Sequence, residues 1–240
     1  MSGRPVRLKR VGHKGADALA PGNTPASFAA AVEAGVDMIE FDVLQRRDGR
    51  VVLAHDPDDA RQREPLTLAE GLDLLASEAF AGLELDVDIK HPGPERAVVD
   101  ALRERGLLER SLISSMHRRS LALVGQLAPE VRRGWSVPRV RRDYTRRRWA
   151  VPAYLVARYL RARLPDQARA ALAAGACEAL VAHWMLVSDE LVRAVREAGG
   201  ELYVWTVDDR ARLERLVALG VDAVITNDPR LFAGFEALPA

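Results

Sequence analysis

The chain has 240 residues, 48% of them apolar, with a net charge of +1, which suits one large domain over residues 1–240 with a packed core and excludes a disordered chain. The near-zero charge excludes a general attraction to nucleic acid, and the single cysteine, Cys177, excludes an internal disulfide and reads as a small apolar packing residue. No apolar stretch reaches the roughly 18 residues of a membrane span, and no apolar run of signal length follows the basic N-terminal residues, so a cytoplasmic location is expected.

Short apolar runs alternate with longer amphipathic ones, the pattern of βαβ units around a parallel sheet. Leu8 to Gly12 reads as a first strand and Thr24 to Ala34 as a helix, capped by Asn23 or Thr24 and stopped by Gly35. Asp37 to Val43 is the second strand, and Asp48-Gly49 turns the chain into a short return arm, Val51 to Ala54, that carries His55. A helix over Leu66 to Ala76, a third strand over Leu83 to Ile89 and a helix over Pro94 to Arg105 follow. Leu112 to Ser115 is strand four, Arg118 to Leu127 its helix, and Val131 to Val137 strand five. Ala179 to His183, Leu202 to Val207 and Ala223 to Thr226 read as strands six to eight, separated by helices Asp189 to Ala198 and Asp209 to Leu219.

Two strands carry acids in a register that demands explanation. In Ile39-Glu40-Phe41-Asp42-Val43 the side-chain period of two places both carboxylates on one face and the apolar residues on the other. Two neighbouring buried carboxylates resist ionisation unless a cation or a shared proton lies between them. Glu84, Asp86, Asp88 and Lys90 likewise share one face of the third strand. In a half-exposed antiparallel strand that face is simply the solvent side; in a parallel barrel it lines the interior and needs partners.

Taken together, His13-Lys14-Gly15, Asn23-Thr24, the run Glu33 to Val43 ending in Glu-x-Asp, and Asp48-Gly49 leading to His55-Asp56 resemble the glycerophosphodiester phosphodiesterase family. Near the C-terminus Val204-Trp205-Thr206-Val207-Asp208 and Gly220 to Pro229 resemble that family's last two strand ends, so the resemblance spans most of the chain. It implies a (β/α)8 TIM barrel of the phospholipase C-like phosphodiesterase type, which agrees with the eight strands read above. In that fold the chemistry lies at the C-terminal strand ends, where His13, Glu40, Asp42, Asp88, Lys90, His117, His183 and Asn227 all fall.

By resemblance, Glu40, Asp42 and Asp88 are the ligands of one divalent cation, with Asp86 in reserve, and Lys14, Lys90 and Trp205 face the substrate. Asp88-Ile89-Lys90 has Asp where the family usually has Glu, a choice also found in the related spider-venom sphingomyelinase D enzymes. All-oxygen ligation favours Mg²⁺ or Ca²⁺ over Zn²⁺. His13 is assigned as base and His55 as acid, since proton transfer to and from oxygen suits imidazoles that titrate near neutrality. Trp205 either walls the pocket or packs in the core, and His117, His183 and Trp135 are weaker rim candidates. Two departures stand out: Lys14 replaces the usual Arg, and Gly22 stands where the family's Pro-Glu-Asn-Thr has its acid, which removes one carboxylate from the site.

The implied function is hydrolysis of glycerophosphodiesters to sn-glycerol 3-phosphate and an alcohol, in lipid and glycerol phosphate metabolism. The alternatives are a lysophospholipase D-type hydrolase acting on lysophospholipids and a catalytically silent phospholipid-binding barrel. Between strands five and six, residues 132–165 form an arginine-rich insert interleaved with Trp135, Tyr144, Trp149, Tyr154 and Tyr159. That composition fits either a solvated basic helix or peripheral contact with an anionic membrane. No nucleic-acid partner is expected.

Overall fold

The computed structural model describes residues 8–138 and 150–235. Eight parallel strands close into a barrel: β1 (Lys9–Gly12), β2 (Met38–Gln45), β4 (Glu84–Ile89), β5 (Ser111–Ser115), β6 (Arg132–Val137), β7 (Ala179–His183), β8 (Glu201–Trp205) and β9 (Ala223–Thr226). Each pairs with the next around the ring, and β1 pairs with both β9 and β2, which leaves no open edge among these eight. The ninth strand, β3 (Val51–Leu53), is the expected return arm, antiparallel to β2 with Gln45 opposite Val51. Its turn closes through the Arg46 N–H donating to the Arg50 carbonyl at 2.8 Å, with Gly49 at φ 87°.

Helices α1 (Pro25–Glu33), α3 (Leu68–Leu75), α4 (Glu95–Glu104), α5 (Arg118–Leu127), α7 (Asp189–Glu197) and α8 (Arg210–Leu219) follow strands as the alternating pattern predicts, with a one-turn α2 (Asp59–Gln62) beyond the arm. Starts and stops obey local chemistry. Thr24 caps α1 by accepting from Ser27 N–H, Ser188 and Asp209 cap α7 and α8, and Gly220 ends α8 at φ 80°. The insert expected over 132–165 differs in its bounds: its first residues, Arg132–Val137, are barrel strand β6, and its later part belongs to a helix, α6 (Ala150–Ala173), that runs beyond it. Residues 139–149, which hold Tyr144 and Trp149, and the Tyr154 side chain lie outside the described residues.

The two-residue period sorts each strand between the two faces of the barrel wall. Ile39, Phe41 and Val43 point outward with Leu85, Val87 and Ile89, and pack under Phe28, Leu72 and Val98 of the surrounding helices. Each such buried side chain contributes about 1.5–3 kcal/mol. Inside the barrel Val11, Met38, Leu112, Val181, Tyr203 and Ile225 fill the lower layers. The floor is ionic: Lys9 bonds Glu84 at 2.9 Å, and Arg132 pairs with both Glu84 and Glu201. The alternating acids of β4 are therefore interior residues at successive heights. Glu84 lies in the floor, Asp86 in the middle, and Asp88 with Lys90 at the catalytic rim.

Candidate active site

Three chain segments converge first at the C-terminal end of the barrel. Glu40 and Asp42 rise from β2, Asp88 and Lys90 from β4 and the residue after it, and His13 and Lys14 from the turn after β1. Ligand oxygens of Glu40, Asp42 and Asp88, the three acids that the family resemblance implies as cation ligands, lie within 4.8 Å of one another. Lys90 Nζ sits between two of them, 2.5 Å from Asp42 Oδ1 and 2.5 Å from Asp88 Oδ2.

These charges set one another's protonation. Burial alone would raise Asp42, but Lys90, with His55, Lys14 and His13 beyond it, holds its carboxyl far below the ordinary range. Burial and the Asp42 charge push Glu40 the other way, well above it. Burial tends to lower Lys90, but Asp42 and Asp88 prevail and keep it firmly cationic. Two acids pushed apart by their surroundings around one ammonium form a site short of positive charge. A divalent cation fits that deficit. Asp88 Oδ1 is buried without a hydrogen-bond partner among the described residues, and the donors are hard oxygens suited to Mg²⁺ or Ca²⁺. Asp86, the reserve ligand, is not in the cluster: it is buried lower in the barrel, where burial pushes its carboxyl up to about 7.

His13 is held from the opposite side of the closure seam. Its Nδ1 lies 2.6 Å from Asn227 Oδ1. Asn227 donates its backbone N–H to Asp208 Oδ1 at 2.8 Å and its amide Nδ2 to Asp208 Oδ2 at 2.6 Å. With the amide nitrogen turned to Asp208, the amide oxygen faces His13, so Nδ1 carries the imidazole hydrogen and Nε2 keeps its lone pair. Nε2 faces Glu40 Oε2 at 3.8 Å. Burial, followed by the charge of Lys14, lowers His13 to about 4, so the ring is neutral at pH 7.

His55 stands at the exposed end of the arm beyond β3. Its backbone N–H donates to Asp59 Oδ2 at 3.0 Å and its Nδ1 lies 3.1 Å from Asp56 Oδ2. Asp59 is clamped in turn by Arg63 at 2.8 Å. Trp205 donates its Nε1–H to the Val181 carbonyl at 3.1 Å, and its ring meets His183 edge-on at 5.1 Å. It belongs both to the interior core and to the rim. His117 stacks near His91 at 6.1 Å, and Trp135 lies under the Arg118 guanidinium at 4.6 Å.

Residue-type arguments did not single out three participants. Asn23, fully buried at φ 59°, donates Nδ2 to Asp42 Oδ2 at 2.8 Å and accepts from the Asp42 N–H at 3.0 Å, which locks the central acid to the loop before α1. Asp208 acts through Asn227. Asp17 pairs with Lys14 Nζ at 3.2 Å. An Asn after Gly22 in a turn was the available signal for the first, and the place of Asp208 at the end of the Val204 to Asp208 motif was the signal for the second; nothing local marks Asp17.

The fold agrees with what the chain is similar to. The glycerophosphoryl diester phosphodiesterase family model matches residues 13–64 and 90–231. A glycerophosphodiester phosphodiesterase of Caldanaerobacter subterraneus subsp. tengcongensis is 28% identical over 91% of this chain and 93% of its own length. One from Arabidopsis thaliana is 30% identical over 92% of this chain and 71% of its length. Among solved structures, an Oleispira antarctica phosphodiesterase in complex with the product sn-glycerol-3-phosphate superposes with a TM-score of 0.69 at 22% identity, covering 95% of this chain and 96% of that one. The chain belongs to the glycerophosphoryl diester phosphodiesterase family, and it is a phosphoric diester hydrolase.

Proposed function

We propose that the protein hydrolyses glycerophosphodiesters to sn-glycerol 3-phosphate and an alcohol, with Glu40, Asp42 and Asp88 holding one divalent cation, Mg²⁺ or Ca²⁺. The observation that carries this reading is the geometry of His13, whose Nδ1 is tied to Asn227 Oδ1 at 2.6 Å while its Nε2 faces Glu40 of the three-acid cluster at 3.8 Å. His13 takes the proton of the attacking oxygen, which adds to phosphorus as the bond to the alcohol breaks. His55, oriented by Asp56 and Asp59, gives a proton to the departing alcohol oxygen. When bound, the cation neutralises phosphate oxygens and steadies the charge of the breaking P–O bond. Lys14 and Lys90 bind the phosphate, and Trp205 closes the rim. The Oleispira relative's product complex supports glycerol 3-phosphate as product.

Release of glycerol 3-phosphate from glycerophosphocholine tests this directly, with EDTA and then with Mg²⁺ or Ca²⁺ restored, beside a His13→Ala control. Cation-dependent release that the control loses supports the reaction and the site together. A folded protein that releases nothing with either ion overturns it.

A second reading, hydrolysis of lysophospholipids, is favoured by one feature. A cavity of about 590 Å³ between the ends of β5 and β6 and helix α6 is lined by Met116, Trp135, Val137, Leu160 and Leu164, with Arg118 and Arg119 at its edge. Such a lining suits an acyl chain next to an anionic group. Exposed Tyr159, with Arg163 over its ring at 5.2 Å, extends the basic, aromatic character of this side and supports peripheral contact with an anionic membrane. Turnover of lysophosphatidylcholine without turnover of glycerophosphocholine selects this reading.

A further inference from the structure

Lys14 is fixed at the phosphate side of the site by a strained and heavily tied backbone. Its φ of 51° is left-handed, a conformation that non-glycine residues rarely keep without outside support. The support is visible: its N–H donates to Glu40 Oε2 at 2.8 Å, and its carbonyl accepts from Asn23 N–H at 3.0 Å and Ser27 Oγ at 2.8 Å. The long side chain then needs its own anchor, since a lysine stem otherwise samples many rotamers. Asp17 Oδ2 accepts from Lys14 Nζ at 3.2 Å, while Asp17 Oδ1 accepts from Gly22 N–H at 2.8 Å. One oxygen is therefore held by the backbone and the other steers the ammonium.

Position 22 explains why a glycine is there. A Cβ on Gly22 would lie 2.5 Å from Asp17 Oδ1 and 2.8 Å from Lys14 Cβ. Its φ is not left-handed, so the need for glycine is space, not backbone freedom. The Asp17 carboxylate and the Lys14 stem already occupy the space that a side chain at position 22 would need. We propose that Asp17 is a positioning residue that supplies, from five residues upstream, the acidic group missing from position 22 and aims Lys14 at the substrate phosphate. The inference rests on the reading of this site as one that binds a phosphodiester.

The test exchanges the acid between the two positions. Asp17→Asn, Gly22→Glu and the double variant D17A/G22E are compared with wild type in saturating Mg²⁺, by calorimetric binding of inorganic phosphate, by KM and kcat on glycerophosphocholine, and by Tm. Asp17→Asn is expected to weaken phosphate binding and raise KM about fivefold to tenfold, the scale of losing one charge-assisted anchor, with kcat less affected. Gly22→Glu alone is expected to lower Tm and bind phosphate more weakly still, because two carboxylates then compete for one volume. D17A/G22E, with the acid moved to position 22 and the Asp17 carboxylate gone, is expected to bind phosphate at least about threefold more tightly than Gly22→Glu, the remaining loss coming from the new Cβ against Lys14. Unchanged phosphate affinity in Asp17→Asn, or a double variant no better than Gly22→Glu, overturns the proposal. A wild type that binds phosphate, loses affinity in Asp17→Asn, yet does not turn over glycerophosphocholine would keep this role for Asp17 and remove the proposed glycerophosphodiester reaction. Active wild type with Asp17→Asn indistinguishable from it would do the reverse.

Discussion

His13 and Asn227, 214 residues apart in the chain, meet across the seam where β1 pairs with β9, with Nδ1 and Oδ1 2.6 Å apart. This contact, fixed from behind by Asp208, decides which nitrogen of the proposed base is free. Asn227→Ala is therefore expected to lower kcat about tenfold to a hundredfold with little change in KM, since it removes orientation and tautomer control but no substrate contact. Asp208→Ala should reproduce much of the loss, and the double variant should add little, as steady-state kinetics on glycerophosphocholine would read out.

The pH response follows from the same imidazole. His13 is lowered from its ordinary 6.5 to about 4 in the folded protein, so the unfolded chain takes up this proton first as pH falls. Stability from this residue is intact above 6.5 and is lost progressively between 6.5 and about 4, amounting to about 2 kcal/mol by pH 5. Denaturant unfolding in EDTA at pH 7 and pH 5, for wild type and His13→Gln, checks it. The variant should lose about 2 kcal/mol less over that interval.

Cation binding should appear as stability. Ions that bind only the folded cluster of Glu40, Asp42 and Asp88 raise Tm by mass action. Millimolar Mg²⁺ or Ca²⁺ is expected to raise the wild-type Tm by several degrees, EDTA to reverse the rise, and Asp88→Asn to abolish it. An equal shift in Asp88→Asn, followed by scanning calorimetry, would place the ion elsewhere.

Lys90 sits between Asp42 and Asp88 at 2.5 Å from each and so occupies part of the space that a cation needs. Lys90→Met should leave two buried carboxylates without their counter-charge and cost about 3–5 kcal/mol in EDTA. Much of that loss should return with Mg²⁺, while turnover stays low because a phosphate contact is gone. Chemical denaturation with and without the ion measures both halves of this expectation.

Asn23 is fully buried, and both of its amide groups bond Asp42. Asn23→Ala leaves the Asp42 N–H without its acceptor and puts a Cβ-bearing residue without a polar tip at φ 59°, at a cost of about 2–4 kcal/mol. Asn23→Gly keeps the backbone conformation and should cost less, by the same unfolding measurement.

Local periodicity in the sequence was enough to place Glu40 and Asp42 opposite Ile39, Phe41 and Val43, because strand geometry sends alternate side chains to opposite faces regardless of what surrounds them. The same rule put Glu84, Asp86, Asp88 and Lys90 on one face, and the turn at Asp48-Gly49 brought His55 back toward the acids. Sequence left open whether the β4 charges met water or one another, and whether Trp205 walled the pocket or the core. Barrel closure decided the first, because it turned that face into an enclosed interior, and it set Trp205 against Val181 and His183, partly in the core and partly at the rim. It also brought Asn227 to His13, Lys90 between two carboxylates, and Asp17 into the volume above Gly22. These last contacts join residues whose types carry no local signal for one another; their distances are set by how eight strands close, and only the tertiary structure fixes that.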